Sequence, residues 1–381
     1  MTVYLDHNAT TAVRPEARDA MMDVMSRPGN PSSIHSSGRK AKGVLERARE
    51  AIARSVRARA EDVVFTSGGT EANNLAVFSA CEAGAKTLIV SAVEHSAVMA
   101  AAEASGVAVE ILPVNEHGVA DLDWLAQRLN GETSTNGPIL VSLMAANNET
   151  GVIQPVEAAG RIVREAGGLF HVDAVQALGK VDYNVAASLA HYTAFSAHKV
   201  GGPQGVGALV LDCDAPVTPR MIGGGQEKGR RCGTENLPGI AGFAAAVEAA
   251  VADRNDFERL IGLRDHTIRQ IRVGAPDLQV WGEVAERLPN TICLSVEGWP
   301  SEIQVIAMDL AGFAVSAGSA CSSGKIRRSR VLEAMGASEA HAASALRVSF
   351  GFTNTKHDAE AFADAWLSAR AKAQRTLATA S

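Results

Sequence analysis

The chain has 381 residues, of which 46% are hydrophobic, 20% charged and 4% aromatic, and its formal net charge is −6. This composition is that of an ordinary globular protein and indicates neither a nucleic-acid-binding nor a membrane-binding surface. Because the sequence contains no apolar stretch of signal-peptide or membrane-span length, we expect a cytoplasmic protein.

The first predicted elements are strands that alternate with helical segments between about residues 60 and 212. Such alternation predicts βαβ units, and therefore an α/β fold with a mostly parallel sheet of seven strands covered by helices on both faces. The runs that read as strands are DVVFTSG, KTLIVSA, VAVEILP, PILVSLM, GLFHVDA, HYTAFSA and GALVLD.

The second half of the chain has a different pattern. A long helix is predicted over residues 238–272, opened by Pro238 and closed near Gly274. Beyond it, the spaced strands TICLSV, FAVSAG and ALRVSFG, with helices between them, predict a smaller α+β domain. We therefore expect a large cofactor-binding domain over 13–255, and a small domain formed by 1–12 and 256–381.

The stretch FTSGGTEANN has the features of an anion site. An apolar strand ends at Phe65, two glycines allow a tight turn, and Thr70 and Glu71 open a helix. Exposed N–H groups, the helix dipole and a threonine hydroxyl together attract a phosphate. A plain helix cap explains the same residues, so this stretch alone leaves both interpretations open.

Two further stretches place polar residues at the ends of predicted strands. Asp173 in FHVDAVQ ends a buried strand, and Lys199 in FSAHKVGGPQGVG precedes a glycine-rich turn. Alone, Asp173 is explained equally well as a helix cap, and Lys199 as a solvated loop residue. Together with a phosphate cradle they fit pyridoxal phosphate, which forms a Schiff base with a lysine and needs an acid at its pyridinium nitrogen.

The stretch SAGSACSSGKIRR surrounds Cys321 with small residues and is followed by basic ones, in a loop of about residues 316–330. A structural cysteine would normally have large apolar neighbours. The chain has no CxxC pair and an odd number of cysteines, so neither a disulfide framework nor a zinc ribbon is expected. The five are predicted to be reduced thiols: Cys81, Cys213, Cys232, Cys293 and Cys321.

These stretches, in this order, resemble the cysteine desulfurases of the NifS and IscS type, which are similar to aminotransferases of fold type I. The resemblance runs from residue 3 to about 352. It rests on YLDHNATT, GNPSSIHSSG, FTSGGTEANN, EHSAV, NNETGVIQP, HVDAVQ, SAHKVGGPQGVG, RRCGTEN, SAGSACSS and ALRVSFG. It implies the fold type I transferase fold, a homodimer with the active site at the subunit interface, and pyridoxal 5'-phosphate as cofactor.

The resemblance also implies roles for individual residues. Lys199 would form the Schiff base, Asp173 would pair with the pyridine nitrogen, and His95 would stack on the ring and assist proton transfers. Asn148 and Gln176 would contact the phenolic oxygen. The phosphate would be held by Gly69, Thr70, Ser196, His198 and, across the interface, Thr234 of the partner subunit.

The remaining implied roles concern substrate and sulfur. Arg347 would bind the carboxylate of L-cysteine through a bidentate pair, and Asn8 would also contact the substrate. Cys321 would take the sulfur as a persulfide and would be a transient ligand of an iron-sulfur cluster. The chain departs from the family pattern at Cys232, where Ser is more usual, which predicts a second thiol near the site.

The function expected is the conversion of L-cysteine to L-alanine, with sulfur passed to a scaffold or acceptor protein for iron-sulfur cluster assembly or related pathways. A selenocysteine lyase or an aminotransferase on the same scaffold is the alternative, and a sulfur carrier with a vestigial site is a third. Cys321 argues against simple transamination. The joint presence of Lys199, Asp173, His95 and Arg347 argues against a carrier.

Overall fold

The computed structural model describes residues 2–130, 137–212, 214–318 and 328–380, without the side chains of 376–380. Its architecture is α/β with a large sheet of seven strands, as the sequence predicted, and a smaller sheet of four strands, of which the sequence indicated three. Among the described residues, none of the helices combines the length and the apolar character that crossing a bilayer requires.

The seven strands of the large sheet lie where the sequence predicted them, and they are mainly apolar runs buried on both faces, apart from Thr87 and most of β4. The first strand of the chain, β1 (Val3–Tyr4), lies elsewhere. The seven are β2 (Val63–Thr66), β3 (Thr87–Ser91), β4 (Ala108–Leu112), β5 (Ile139–Ser142), β6 (Leu169–Asp173), β7 (Tyr192–Ser196) and β8 (Gly207–Leu211).

The order of these strands brings the candidate motifs to one edge. It is β2-β8-β7-β6-β5-β3-β4, with β4, β3, β5, β6 and β7 parallel and β8 antiparallel to both neighbours. Since β2 is antiparallel to β8, it runs in the same direction as β7. Six strands therefore end at the same edge of the sheet, where ligands bind in open α/β sheets.

Helices cover both faces of this sheet. The Ala- and Gly-rich helix α8 packs closely on α1, because a Cβ added at Gly242 would lie 2.6 Å from Met21 Cγ. The helices up to this point are α1 (Pro15–Met25), α2 (Ser36–Ser55), α3 (Gly69–Glu82), α4 (Ser96–Ala104), α5 (Leu122–Leu129), α6 (Val156–Glu165), α7 (Val185–Ser188) and α8 (Leu237–Ala252). Short 3₁₀ turns occur at Ala60–Asp62, Ala197–Lys199 and Gln226–Gly229.

The single long helix predicted over 238–272 is wrong. The chain forms α8, the short α9 (Arg254–Phe257) and α10 (Arg259–Gly274) instead. Asp253 leaves helical geometry at ψ 7°, and its carboxylate accepts a 2.7 Å hydrogen bond from Arg14 Nη1. The change of direction lets Phe257 pack into the second apolar core described below.

The C-terminal part forms the second sheet. Its order is β12-β13-β10-β9, and its pairs are antiparallel, whereas β1 pairs in parallel with β11. The strands are β9 (Gln279–Val280), β10 (Thr291–Ser295), β11 (Phe313–Ala314), β12 (Ser316–Ala317) and β13 (Leu346–Ser349). The helices are α11 (Ser301–Leu310), α12 (Arg330–Ala334), α13 (Glu339–Ala343) and α14 (Lys356–Ala380).

Two of the clusters of buried apolar residues each belong to one part of the chain, while a smaller cluster joins Val93 and Met144 to residues from Trp281 to Ala345. The largest cluster runs from Ala17 to Ala250, and a second contains Leu5 and residues from Phe257 to Trp366. These clusters agree with a large and a small domain, while the domain boundaries given above stay a prediction.

Candidate active site

The turn between β2 and α3 forms a backbone cradle. The first intrahelical bond of α3 is made by Ala72 N to Gly68 O, so the amides of Gly69, Thr70 and Glu71 precede the hydrogen-bonded part of the helix. Gly69 is required here, because an added Cβ would lie 2.7 Å from Val175 Cγ2 and 3.5 Å from Ser196 Cβ. The cradle is therefore packed against the ends of β6 and β7, and its amides can bind an anion.

Asp173 is the last residue of β6 and is buried beside the cradle. Its Oδ1 accepts a 3.0 Å hydrogen bond from Val175 N, and its Oδ2 accepts a 2.7 Å bond from Asn73 Nδ2. Both oxygens thus act as acceptors, as expected of a carboxylate. A buried carboxylate of this kind can hold a cationic N–H group of a ligand.

Lys199 ends the 3₁₀ turn that follows β7. Its Nζ donates hydrogen bonds of 2.7 Å to the carbonyl oxygens of Asn8 and Ala9. Burial, with the nearby guanidinium of Arg347, lowers the pKa of Lys199 from 10.5 to about 8. A lysine with this pKa is partly neutral near neutral pH and can act as a nucleophile or base.

A second lysine lies behind Lys199. Lys180 is buried, and its Nζ donates to Asn8 Oδ1 at 2.8 Å and to Gln176 Oε1 at 2.5 Å. Burial lowers the pKa of Lys180 well below its usual value, and the cations of Lys199 and Arg347 lower it further. Because Lys180 donates to the side-chain oxygens of Asn8 and Gln176, both amide groups must turn their oxygen towards Lys180 and their NH₂ group away from it.

Asn8 is held entirely by protein groups. Its side-chain Nδ2 donates to Thr291 Oγ1 at 2.9 Å and to the backbone oxygen of Asn148 at 3.2 Å. Its backbone carbonyl oxygen accepts a hydrogen bond from Gln176 Nε2 at 2.9 Å. The described contacts thus make Asn8 a hub that links Gln176, Asn148 and Lys199. Its contact with substrate stays a prediction.

Arg347 lies in β13 of the four-stranded sheet and reaches the same site from there. Its side chain is 3% exposed, its Nη2 pairs with Asp6 Oδ1 at 2.8 Å, and its Nη1 donates to Asn148 O at 3.1 Å. Its Nε has no hydrogen-bond partner among the described residues. A buried guanidinium with an unused N–H donor can bind a carboxylate.

The two histidines predicted for the site differ in exposure, since His95 is exposed and His198 is half-buried. His95 caps α4, and its Nδ1 accepts a 3.1 Å bond from Ala97 N, which leaves its ring proton on Nε2. Desolvation by the surrounding protein lowers the pKa of His95, although the residue is exposed. Burial also lowers the pKa of His198 to about 4, and its Nδ1 lies 3.2 Å from Thr10 Oγ1.

The segment from Gln226 to Thr234 is tied to the cradle at two points. Glu227, whose backbone is left-handed at φ 47°, pairs with Arg49 and accepts a 2.9 Å bond from Phe65 N. Arg231 pairs with Glu71 at 2.8 Å, and Glu71 also accepts from Ser67 N at 2.7 Å. Thr234 itself is exposed, and Cys232 is buried within the segment.

Cys321 and most of its predicted loop lie outside the described residues. The described residues stop at Gly318 and resume at Arg328. The role predicted for Cys321, including that of a cluster ligand, therefore stays a prediction.

Three residues with direct contacts in the site were not selected from the sequence. Asn73 lies four residues after Gly69, which places both on one face of α3. Lys180 stands four residues after Gln176, in the otherwise apolar stretch ALGKV. Asp6, the partner of Arg347, stands between Leu5 and His7 and has no local signal.

Comparison with known proteins gives matches along nearly the whole chain. The family described as aminotransferase class-V matches residues 3–362. The chain is 40% identical over 364 residues to a protein named cysteine desulfurase IscS from Dictyoglomus turgidum, covering 93% of this chain and 91% of the relative. It is 41% identical over 361 residues to a cysteine desulfurase from Cereibacter sphaeroides, covering 93% and 92%.

A solved structure of a NifS-like protein from Rickettsia africae ESF-5 has the same fold. Its TM-score is 0.89 at 34% identity, and the match covers 97% of this chain and 99% of that one. The family match spans every candidate site residue.

Proposed function

This chain belongs to the class-V aminotransferase family and is a pyridoxal-phosphate-dependent cysteine desulfurase, and on that premise we propose which residues carry its reaction. The enzyme converts L-cysteine to L-alanine and transfers the sulfur to one of its own cysteines as a persulfide. The names of the relatives favour this activity over a selenocysteine lyase or an aminotransferase. The residue assignment is supported by one observation, the convergence of the cradle, Asp173, Lys199 and Arg347 at the end of the sheet.

The residues at this edge fit the three polar parts of the cofactor. The amides of the cradle, with Thr70, Ser196 and His198, would hold its phosphate, and Asp173 would hold the proton on its ring nitrogen. Asn148 and Gln176 would contact its phenolic oxygen. When bound at Lys199, pyridoxal phosphate supplies an electron sink that weakens bonds to the Cα of an amino acid and then the Cβ–Sγ bond of cysteine.

Lys199 is the base nearest to the substrate in this assignment. With a pKa of about 8, its Nζ exists partly as the free amine, which can form the covalent bond and take the Cα proton. Two carbonyl oxygens, of Asn8 and Ala9, orient it when it is not bonded to the cofactor. Its reactivity therefore depends on burial and on the neighbouring cations.

Arg347 would orient the substrate through its carboxylate. Its Nε, which has no partner among the described residues, would donate to one carboxylate oxygen of the substrate. Its Nη2 would donate to the other carboxylate oxygen, either in place of Asp6 Oδ1 or in addition to it. Because a planar guanidinium can form two parallel bonds, it fixes the Cα–H bond relative to Lys199. His95 would cover the ring and move protons at Nε2, since its Nδ1 is occupied by Ala97 N.

Cys321 would be the sulfur acceptor. Its thiolate attacks substrate Sγ, an S–S bond forms, and the Cβ–Sγ bond breaks with its electron pair left on Cβ, which is then protonated to give alanine. Cysteine and the enzyme thiol thus become alanine and the enzyme persulfide, with atoms and electrons balanced. The sequence SAGSACSSG supports this role because it contains no large side chain next to Cys321 that would shield a thiol.

We propose that the enzyme is a homodimer in which Thr234 of the partner subunit completes the phosphate site. Residues 31–32 and 225–228, with Arg230 and Glu235 near Thr234 in the chain, are among those that line a surface cleft of about 490 Å³. Two large apolar side chains next to these segments, Ile34 and Ile222, are 90% and 88% exposed. Exposed apolar residues beside a cleft are typical of a subunit interface.

The sulfur acceptor is proposed to be a scaffold or carrier protein with an acidic surface, supplying iron-sulfur cluster assembly or a related pathway. The basic residues after Cys321 support this choice, since opposite charges speed association. Of these, Arg328 is described, is largely exposed and pairs with Glu339.

The reaction is tested by incubating the holoenzyme with L-cysteine and measuring alanine by amino-acid analysis. The account predicts alanine from the wild type and from the control Cys81→Ser, and almost none from Cys321→Ser, although that variant still binds the cofactor. Alanine formation by Cys321→Ser at the wild-type rate would exclude the assignment.

A further inference from the structure

We propose that Glu94, Ser142, His171 and Asn73 form a one-directional chain of hydrogen bonds that ends on Asp173 and donates to its carboxylate. This rests on the proposed function, in which Asp173 pairs with the ring nitrogen of the cofactor. The four are positioning residues, because they act through Asp173 and not on the cofactor itself.

The chain of contacts is continuous and buried. Asp173 Oδ2 lies 2.7 Å from Asn73 Nδ2, and Asn73 Oδ1 lies 3.1 Å from His171 Nε2. His171 Nδ1 lies 2.8 Å from Ser142 Oγ, which lies 3.3 Å from Glu94 Oε1. All five side chains are buried, so water does not compete for these bonds.

The fold places these residues in register. Ser142, the last residue of β5, is the direct neighbour of His171 on β6. His171 and Asp173 are two residues apart on β6, so they face the same side of the sheet, where α3 supplies Asn73. Glu94 follows β3, the strand on the other side of β5, and directly precedes His95.

The acceptor at one end determines the direction of every bond. Asp173 must accept, so Asn73 presents its NH₂ group to it and its carbonyl oxygen to His171. His171 therefore carries its proton on Nε2, and its Nδ1 is an acceptor. The hydroxyl of Ser142 has a single proton to donate. It donates to His171 Nδ1, because that contact is shorter than the contact with Glu94 Oε1.

The other end of the chain then requires a proton on Glu94. The hydroxyl oxygen of Ser142 has only acceptor capacity left, so Glu94 Oε1 must donate to it. If Glu94 were ionised, its Oε1 and the hydroxyl oxygen of Ser142 would face each other as two acceptors with no proton between them. Its Oε2 is also buried and has no hydrogen-bond partner among the described residues, so a charge there would be costly. The geometry thus assigns a neutral carboxylic acid at one end and a carboxylate at the other.

The protonation states expected from burial agree with this direction. Burial raises the pKa of Glu94 well above its usual value, and the charge of Asp173 raises it further, against the opposing effects of a hydrogen bond from Ser142 and of the backbone amides of His95 and Met144. The first of these opposing effects is lost when Ser142 donates its single proton to His171 instead. Burial lowers the pKa of His171 to about 4, so this imidazole is neutral at physiological pH. No net charge is added to the site by the four residues that support Asp173.

The direction is tested first on the protein without cofactor. Nitrogen-15 NMR of the histidines, with the His171 signals identified by their loss in His171→Phe, should show Nε2 protonated and Nδ1 unprotonated. Infrared spectroscopy at a pH well above 7 should show a protonated carboxylic acid that is absent in Glu94→Gln and retained in the control Glu103→Gln. A proton on Nδ1 of His171, or no band that depends on Glu94, would overturn the proposal.

The purpose of the chain is tested by the affinity of the apoenzyme for pyridoxal phosphate. His171→Phe should weaken binding about tenfold, and Glu94→Leu about fivefold, because the carboxylate loses its support. Glu94→Gln should stay within about twofold of the wild type, since an amide N–H replaces the acid O–H. Equal losses in Glu94→Gln and Glu94→Leu would contradict a neutral donor at this position.

A double-mutant cycle separates this role from a general effect on folding. In the Asp173→Asn background, His171→Phe should change the affinity by less than about twofold, because the group it acts through is gone. Additive losses would show that His171 acts independently of Asp173. If the chain bound no pyridoxal phosphate at all, the proposed function would fail, while the NMR and infrared results would still decide the direction of the chain.

Discussion

Ser329 Oγ donates a 2.5 Å hydrogen bond to Glu149 Oε2, which joins the second residue after the segment 319–327 that contains Cys321 to the residue just after Asn148. Gly318, before the segment, lies at the same carboxyl, because a Cβ added there would be 3.6 Å from Glu149 Oε2. The two flanks of residues 319–327 therefore meet at one buried acid. Burial raises the pKa of Glu149 from 4.5 to about 7.

Glu149 should make stability depend on pH. Below its unfolded pKa the carboxyl is protonated in both states, and as pH rises towards 7 only the unfolded chain ionises, which lowers the stability of the fold by up to about 3 kcal/mol. Glu149→Gln removes this loss. Urea unfolding at about pH 5 and about pH 8 should show the variant gaining on the wild type only at the higher pH.

The exposed Glu333 provides the matched control for this measurement. Glu333→Gln should leave the difference in unfolding free energy between about pH 5 and about pH 8 the same as in the wild type. If Glu149→Gln shifted the urea midpoint equally at both, Glu149 would not be the titrating group.

Attachment of pyridoxal phosphate should depend on Lys199 and on pH. Because the free amine is the nucleophile, the rate of borohydride-trapped attachment to the apoenzyme should rise through a pKa of about 8. Lys199→Ala should lose the trapped adduct, and the exposed-lysine control Lys86→Ala should keep it. Peptide mapping that finds the cofactor on Lys180 in the wild type would refute the assignment of Lys199.

Substrate affinity should depend on the fork geometry of Arg347. Arg347→Lys keeps the charge but loses the bidentate pair, so the KM for L-cysteine should rise about tenfold or more. Arg370→Lys is the control, since Arg370 is also buried and paired with an aspartate, Asp277, but belongs to α14. Steady-state kinetics in which both variants behave alike would remove Arg347 from the substrate site.

A shared active site should allow two inactive subunits to restore one active site. Lys199→Ala lacks its own nucleophile, and Thr234→Val lacks the hydroxyl that it would give to the partner. Mixing the two variants should recover part of the activity through hybrid dimers. Light scattering that shows an active monomer at assay concentration would rule out the shared site.

The sequence predicted the large sheet because each strand is a short apolar run bounded by turn residues. It also placed Asp173 and Lys199 close together, since parallel strands end at the same edge. The kink at Asp253 escaped prediction because its cause is Arg14, which lies 239 residues away in the chain. Two-residue strands such as β9 and β12 are too short for a periodic signal.

The supporting contacts of the site were likewise hidden in the sequence. Asn73 reaches Asp173 across 100 residues, and Lys180 reaches Asn8 across 172. A polar residue inside an apolar stretch shows that some partner must exist, but only the folded chain identifies that partner. The motifs therefore indicated the groups proposed to face the cofactor more readily than the residues that hold those groups in place.

The central claim is that sulfur passes to Cys321, and peptide mass spectrometry tests it most directly. Holoenzyme is treated briefly with L-cysteine, its thiols and persulfides are alkylated, and each cysteine-containing peptide is weighed. The account predicts one added sulfur atom on the peptide of Cys321, with alanine formed in equal amount. Added sulfur on Cys81 or Cys232, with Cys321 unmodified while alanine is still produced, would contradict it.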